Sequence, residues 1–187
     1  MEAGRLLAPV LMLVGTLAFA FYWTVPRLQT HRSAQRAGRR VKAVSAQPEL
    51  TGAKVLVIEC DSGLQPRNAA GRRVVTAGGL EGERADWKRK FGTLEPGEFA
   101  ITRAGALDAD YVVFACPPPG SLATFLPSLL DAMEGLRAHS VALPLFPGTP
   151  IPAFLSALES TKPSSQLTDL YLYSTDETAL AALSAAL

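Results

Sequence analysis

The chain has 187 residues, of which 48% are hydrophobic and 19% are charged, and its formal net charge is +1. This small net charge is the sum of two opposite charges, because residues 1–42 carry a net charge of +6 and residues 43–187 carry a net charge of −5. An acidic globular part argues against a nucleic-acid-binding protein, since such proteins gain most of their affinity by neutralising phosphates. Without the basic segment, about 145 residues remain, enough for one domain that buries a core without a disulfide or a metal.

The amino-terminal segment is predicted to span a membrane. Leu6–Val25 contains twenty positions without a charged side chain, which at ~1.5 Å per helical residue matches a hydrocarbon core of roughly 30 Å. Tyr22 and Trp23 lie at the end of this run, where aromatic rings favour the interface, and Pro26 ends the helix. The alternative is a cleaved signal peptide with Ala18-Phe19-Ala20 as its cleavage site. It fits less well, because the residues before the run have almost no net charge.

A basic segment follows the apolar one. Arg27–Lys42 holds six Arg or Lys side chains and no acid, whereas only Arg5 is basic before the apolar run. The positive-inside rule therefore predicts a single-pass protein whose later residues are cytoplasmic, with an outer mitochondrial signal anchor among the options. We expect residues 27–42 to be a juxtamembrane linker that contacts anionic headgroups, at ~1 kcal/mol per Lys or Arg. Nucleic-acid binding by this segment alone is the open alternative.

Residues 43–187 are predicted to form one α/β domain, because short apolar runs alternate with amphipathic segments. Lys54–Cys60 and Tyr111–Cys116 are nearly continuous apolar runs, as expected of strands covered on both faces. Further strands are expected at Val41–Val44, Glu98–Arg103, Ser140–Phe146 and Asp169–Ser174, and helices at Asn68–Ala77, Glu81–Phe91, Leu122–Arg137, Ile151–Ser160 and Asp176–Ala186. This order predicts a mixed sheet with helices on both faces.

The sequence gives no support to a metal or cofactor site, and it favours structural cysteines over the alternative of a reactive thiol. Cys60 and Cys116 each end an apolar run, where a free cysteine behaves as a small hydrophobe, so both are expected to be buried and reduced. His31 and His139 have no Cys or carboxylate at ligand spacing. No cofactor is predicted, because no GxGxxG follows a strand and no Walker lysine loop is present.

Several strings resemble those of a known module. In LEPGEFAITRAGALDADYVVFACPP, residues 94–118, Pro96-Gly97-Glu98 is similar to a Thr-Gly-Glu-Ala turn and Tyr111-Val112-Val113 to the Tyr-Val-Ile strand that follows it. Ser140–Pro144 is similar to a strand ending in Phe-Pro, and Tyr171–Asp176 to a last strand and its acid. On these strings, residues 41–187 resemble a macro domain, which binds ADP-ribose. The resemblance implies a three-layer α/β/α sandwich with a mixed central sheet, here behind one N-terminal transmembrane helix.

The loops that hold the ligand in macro domains depart from the family pattern. The family's Asn-Ala-Ala-Asn aligns with Glu59-Cys60-Asp61-Ser62, its glycine-rich loop with Gln65–Val75, and its second phosphate loop with a shortened Phe146–Pro150. Fewer glycines should weaken diphosphate binding by several kcal/mol, at ~1.5–3 kcal/mol per charge-assisted hydrogen bond. The Asn and Asp positions of macro-type ADP-ribosyl hydrolases are unmatched, which disfavours an enzyme. The macro-like N-terminal domain of leucyl aminopeptidases, which serves assembly, is an equally distant match.

Two functions remain open. The first is a membrane-anchored macro-like domain that recognises ADP-ribose or a related nucleotide at the carboxyl edge of the sheet. The resemblance implies that Gly148 and Thr149 contact a phosphate, that Phe146 and Tyr173 offer rings to the base, and that Glu49 or Tyr173 contacts the adenosine end. The second is a degenerate, non-catalytic domain that acts as a protein-interaction module at a membrane. The missing asparagines, the missing glycines and the acidic charge favour this second function.

Overall fold

A seven-stranded mixed sheet organises the chain. The computed structural model describes residues 30–120, 122–163 and 166–187. The order in the sheet is β1-β2-β7-β6-β3-β5-β4, in which β1 and β4 are antiparallel to their neighbours and the other five strands are parallel. The strands are β1 Thr30–Arg36, β2 Arg39–Val44, β3 Val55–Glu59, β4 Phe99–Arg103, β5 Tyr111–Ala115, β6 Ser140–Pro144 and β7 Asp169–Tyr173.

Helices cover both faces of this sheet. One face carries α1 Ala69–Gly78 and α2 Glu81–Phe91, and the other carries α3 Leu122–Gly135, α4 Ile151–Glu159 and α5 Glu177–Ala186. A short 3₁₀ helix, Pro48–Leu50, contacts α1. Successive residues of β3 enter the two cores in turn, because side chains alternate across a strand: Val55 and Val57 pack with α3–α5, and Leu56 and Ile58 with α1. The predicted three-layer arrangement with a mixed sheet is confirmed.

The two most apolar strands lie side by side near the centre of the sheet. Val57 of β3 pairs with Val113 of β5 in a parallel ladder, and both side chains are fully buried. This confirms the prediction that both runs form strands covered on both faces. The pairing continues one residue further, since the Cys60 amide donates to the Ala115 carbonyl at 2.9 Å. Cys60 and Cys116 therefore end adjacent strands, and both are buried, free thiols as expected.

Residues 30–44 form an edge hairpin, which differs from the linker expected over residues 27–42. β1 and β2 pair around Ala37-Gly38, whose φ angles are 48° and 74°, and β2 joins the sheet by parallel pairing with β7. In β2, buried Arg39, Val41 and Ala43 alternate with more exposed residues. The sequence does not show this alternation clearly, because arginine is usually solvent-exposed and a buried arginine is therefore not expected at a core position.

Four of the five Lys or Arg side chains in the hairpin form ion pairs within the fold. Arg36 pairs with Glu159 at 2.5 Å, and Arg40 and Lys42 both pair with Asp169. Arg39 is 1% exposed and pairs with Glu134 at 3.1 Å. These four side chains fix the hairpin to the rest of the domain, which reduces the charge that the predicted headgroup contact could use.

Two of the helix N-termini at the carboxyl edge of the parallel strands have side-chain caps. The Asn68 side chain accepts a hydrogen bond from the Gly71 amide at 2.8 Å and begins α1, the helix that follows β3. The Asp176 carboxylate accepts a hydrogen bond from the Thr178 amide at 2.8 Å and begins α5, directly after β7. The predicted cap at Asp176 is thereby confirmed.

The predicted membrane-spanning segment, Leu6–Val25, lies outside the described residues. Within residues 30–120, 122–163 and 166–187, no helix has both the length and the apolar character that crossing a bilayer needs. The longest of these helices, α3, has 14 residues, whereas a span needs about 20.

Candidate functional site

A crevice opens at the carboxyl ends of β3 and β6. These neighbouring strands pair only through Val55–Val141 and Leu56–Ala142, whereas β3 pairs with β5, and β6 with β7, along their whole lengths. The chain leaves β3 toward α1 on one face and leaves β6 toward α4 on the other. Such a topological switch point is where open α/β sheets place their ligands.

Tyr173, the last residue of β7, fills the base of this crevice. Its hydroxyl reaches past β6 and donates a hydrogen bond to the Val57 carbonyl oxygen of β3 at 2.6 Å. The side chain is 1% exposed. Burial raises the pKa of the Tyr173 hydroxyl far above its usual value, so the group remains a neutral donor. The ring expected to contact an adenosine is therefore part of the core.

Above Tyr173 lies a cavity of about 260 Å³. The β6–α4 loop, the segment after β7 and the start of α1 line it together. Besides Tyr173, the polar side chains among the lining residues are those of Asn68, Thr149, Ser174, Thr175 and Asp176. Pockets for small molecules usually measure ~300–1,000 Å³, so this cavity alone would enclose only part of a nucleotide.

Gly148 gives the cavity its open wall. Its φ is 75°, a conformation that favours glycine, and no atom lies within 4 Å of the position that a Cβ would take. The turn is closed by a hydrogen bond from the Thr149 amide to the Phe146 carbonyl oxygen at 3.2 Å. Phe146 is 4% exposed and packs edge-to-face on Phe125 of α3, with ring centroids 5.7 Å apart. Phe146 thus holds the loop in place rather than offering a free ring.

Glu49 lies apart from this cavity. It belongs to the 3₁₀ helix and pairs with Arg73 of α1 at 3.1 Å, and Arg73 also donates to the Ala46 carbonyl oxygen. The groove beside Glu49 is lined by residues of α1, including Arg72 and Thr76, none of which reaches the cavity at Gly148. The carboxylate expected to contact an adenine is therefore used to brace α1 against the segment that follows β2.

A larger, open groove of about 800 Å³ adjoins the cavity. Ser174 and Thr175 line both spaces, so a ligand longer than the cavity could extend from one into the other. The far side of the groove is formed by Arg32 of β1 and by α5, including Glu177. Arg32 is exposed and brings a positive charge near the cavity. Among the described residues that line the cavity, Asp176 is the one with a charged side chain.

Sequence comparisons place the chain near one distant relative. No known protein-family model matches it. An uncharacterised protein of Sulfurisphaera tokodaii is 30% identical over 112 residues, a stretch that covers 56% of this chain and 62% of that protein. The chain thus spans less than two thirds of the length of this relative.

Solved structures decide the fold. The Oceanobacillus iheyensis macrodomain, solved with ADP, aligns with a TM-score of 0.71 at 13% identity over 84% of this chain and 94% of that one. The Trypanosoma brucei macrodomain in complex with ADP-ribose gives a TM-score of 0.67 at 16% identity, over 87% and 75%. The macro domain of ganglioside induced differentiation associated protein 2 gives 0.61 at 15%, over 78% and 82%. This domain has the macrodomain fold.

Within the macrodomain fold, the structure brings together four of the five residues expected at the site. Phe146, Gly148, Thr149 and Tyr173 all line the cavity, and Glu49 does not. The sequence reasoning missed Asn68 and the two hydroxyls that follow β7. Asn68 did carry a signal, since a polar residue before an Ala-rich run is typical of an N-cap.

A buried carboxylate ends β3 beside the crevice. Glu59 is 3% exposed, and its carboxylate lies 3.5 Å from the Arg67 guanidinium. Burial raises the pKa of Glu59, and Arg67 partly opposes that rise. Burial also raises the pKa of the neighbouring Cys60 thiol to about 12, with a smaller contribution from Cys116. The thiol is therefore protonated at neutral pH and unsuited to nucleophilic chemistry. Among the described residues, no group of acidic, His and Cys side chains could hold a metal ion.

Proposed function

We propose that this macrodomain binds ADP-ribose or a related nucleotide in the cavity at Gly148. The observation that carries the proposal is the convergence of an open, positive-φ glycine turn and helix N-termini at the β3–β6 switch point. Two proteins with the same fold support it, since the Oceanobacillus iheyensis domain was solved with ADP and the Trypanosoma brucei domain with ADP-ribose.

The cavity suits a phosphate through backbone groups rather than cations. Asn68 at the start of α1 and Ile151 at the start of α4 both line it, and helix N-termini attract anions through their free amides and aligned dipoles. Gly148 leaves room for a phosphate to approach the main chain. The Thr149 hydroxyl would donate from the same loop. The remainder of the nucleotide would extend past Ser174 into the groove that ends at Arg32.

We further propose that Leu6–Val25 anchors the domain to a membrane, with the domain on the cytoplasmic side. The uncharged run of twenty residues and the basic bias after it support this proposal. The full chain should co-float with lipid vesicles after alkaline extraction, whereas the chain without residues 1–29 should not. Protease added to intact cells should leave the domain uncut. Recovery of a mature chain beginning at Phe21 would contradict the anchor.

A protein-interaction module is the second candidate. It is favoured by the way in which Glu49 and Tyr173 are used, since the first is paired with Arg73 and the second with the Val57 carbonyl. A domain whose expected ligand contacts serve the fold can lose its ligand and keep its shape. Fold alone does not decide between the two functions.

Calorimetry on the full chain in detergent micelles separates them. ADP-ribose should bind, and adenosine should bind more weakly, because it lacks the phosphates expected at Gly148. Gly148→Glu should weaken ADP-ribose binding by about tenfold or more, since it places a side chain and a negative charge where a phosphate would lie.

Gly52→Glu is the matched control. Gly52 has a φ of 68° and nothing within 4 Å of a Cβ position, as Gly148 has, but it precedes β3 and so lies at the opposite edge of the sheet. It brings the same backbone strain and charge without touching the cavity. Absent or millimolar affinity of the parent chain, or equal affinities of the two variants, would leave the interaction module as the better function.

A further inference from the structure

The described chain begins at the same edge of the sheet as the cavity. β1 is antiparallel to β2, and its first residue, Thr30, lies opposite Val44. Val44 in turn lies beside Tyr173, the last residue of β7. Thr30 therefore stands at the carboxyl edge of the parallel strands. The hairpin turn at Gly38 stands at the other edge, where its backbone approaches Pro163.

The distance between the predicted anchor and Thr30 is short. Residues 26–29 separate Val25 from Thr30, and five steps of at most ~3.6 Å reach about 18 Å. The seven residues of β1 span about 20 Å at ~3.3 Å per step. If the opposite edge rested on the membrane, Thr30 would stand about 20 Å or more above it, which exceeds that reach.

We propose that the carboxyl edge of the sheet, with the candidate cavity, faces the membrane, and that the partner of this edge is a lipid surface. The inference rests on the proposed anchor and adds the orientation that strand polarity imposes. The mouth of the cavity then opens into the narrow layer between the domain and the bilayer. A ligand must enter that layer from the side or be carried on the membrane itself.

The tether, rather than charge, sets this orientation. Arg36, Arg40 and Lys42 pair with Glu159 and Asp169, and the carboxyl edge carries acidic Asp61 and Asp176 as well as basic Arg32 and Arg67. Such a mixed surface has no strong attraction for anionic lipid. The orientation should therefore be the same on vesicles of neutral lipid and on vesicles that contain an anionic lipid.

Fluorescence quenching on the full chain in vesicles tests the orientation. Single cysteines at Gln65→Cys and Asp108→Cys would carry the fluorophore, because both positions are exposed and lie at opposite edges, Gln65 after β3 and Asp108 before β5. Cys60 and Cys116 are buried and should not react in the folded chain. Lipids with a nitroxide on the headgroup quench nearby emission.

The proposal expects a larger loss of emission at Gln65 than at Asp108 on both kinds of vesicle. Equal losses, or a larger loss at Asp108, would overturn the orientation while leaving the anchor in place. A chain that does not co-float with the vesicles would overturn both. Replacing residues 26–29 by a long flexible linker should reduce the difference between the two positions, because the reach would then allow either edge to face the lipid.

Discussion

The Tyr173 hydroxyl lies 2.6 Å from the Val57 carbonyl oxygen and joins two strands that are not neighbours in the sheet. Its position is where the β3–β6 ladder stops, so the carbonyl that β6 no longer pairs is satisfied by a side chain. A buried carbonyl needs a partner when water is excluded. The Tyr173 side chain therefore closes the base of the crevice and also pairs a buried carbonyl group of the sheet.

Tyr173→Phe should destabilise the domain by ~1–3 kcal/mol, the usual cost of leaving a buried polar group unpaired. Urea unfolding of the full chain in micelles, followed by far-UV circular dichroism, measures the change. Tyr171→Phe is the control in the same strand, because Tyr171 is only half-buried and its hydroxyl contacts Lys42 at 3.4 Å. Equal losses for the two variants would show that the contact with Val57 has no special weight.

The second prediction concerns the hairpin. Arg39→Ala should destabilise the domain by about 3 kcal/mol, because the buried guanidinium donates to Thr161 Oγ1 at 2.6 Å and to the Lys162 carbonyl at 2.7 Å. Arg40→Ala, next in sequence but 59% exposed, should cost only ~0–1 kcal/mol. Urea unfolding compares the two. Similar values would mean that β2 is not held by its buried arginine.

The core of the fold could be predicted from the sequence because its signals are local. The apolar runs that became β3 and β5 need burial on both faces, and the closing helix α5 carries a local cap at Asp176. β1 and the start of β2 could not be predicted in this way. Pairing there depends on the hydrogen-bond acceptors of Arg39, which lie on α3 and on the segment after α4. Such distant partners cannot be recognised from a local sequence pattern.

The loop of the candidate site could be predicted from the sequence. The positions of the side chains expected to contact a ligand could not. Gly148 is marked by the Pro-Gly pair that ends a strand, so its turn could be read directly. The roles of Tyr173 and Glu49 depend on long-range partners, the Val57 carbonyl and the Arg73 guanidinium. Resemblance supplies the position of such residues in the fold, whereas packing decides where their side chains point.

The third prediction is a loss of stability that depends on pH. Burial would raise the pKa of Asp169, but hydrogen bonds from Thr168, Lys42 and Arg40 outweigh it and hold the pKa below the ordinary value of 3.8. A carboxyl with a lowered folded pKa stabilises the fold above its unfolded pKa and loses that effect as the pH falls through the folded one. Asp169→Asn should therefore destabilise the domain at pH 7. The difference in stability between the parent chain and the variant should shrink as the pH falls below the ordinary pKa of 3.8.

Asp86→Asn is the control for that measurement. Asp86 pairs with Arg89 on the exposed face of α2, and 57% of its side chain is accessible. Exposed pairs of this kind contribute ~0–1 kcal/mol, so the variant should unfold like the parent chain at both pH values. A loss for Asp169→Asn that is the same at pH 7 and in acid would assign Asp169 a packing role instead of an ionic one.

The last prediction has the opposite sign and concerns Glu59. Burial raises its pKa in the folded domain above the ordinary value of 4.5, with partial relief from Arg67. Between the unfolded and folded pKa values the native state holds the extra proton, so the stability of the parent chain falls as the pH rises through that window. Glu59→Gln removes this titration, and the variant should gain stability relative to the parent from pH 4 to pH 8.

Urea unfolding across that range measures the gain, and Glu83→Gln on the exposed face of α2 should show none. A Glu59→Gln variant that instead loses stability relative to the parent as the pH rises would mean that the pair with Arg67 outweighs the burial of the charge.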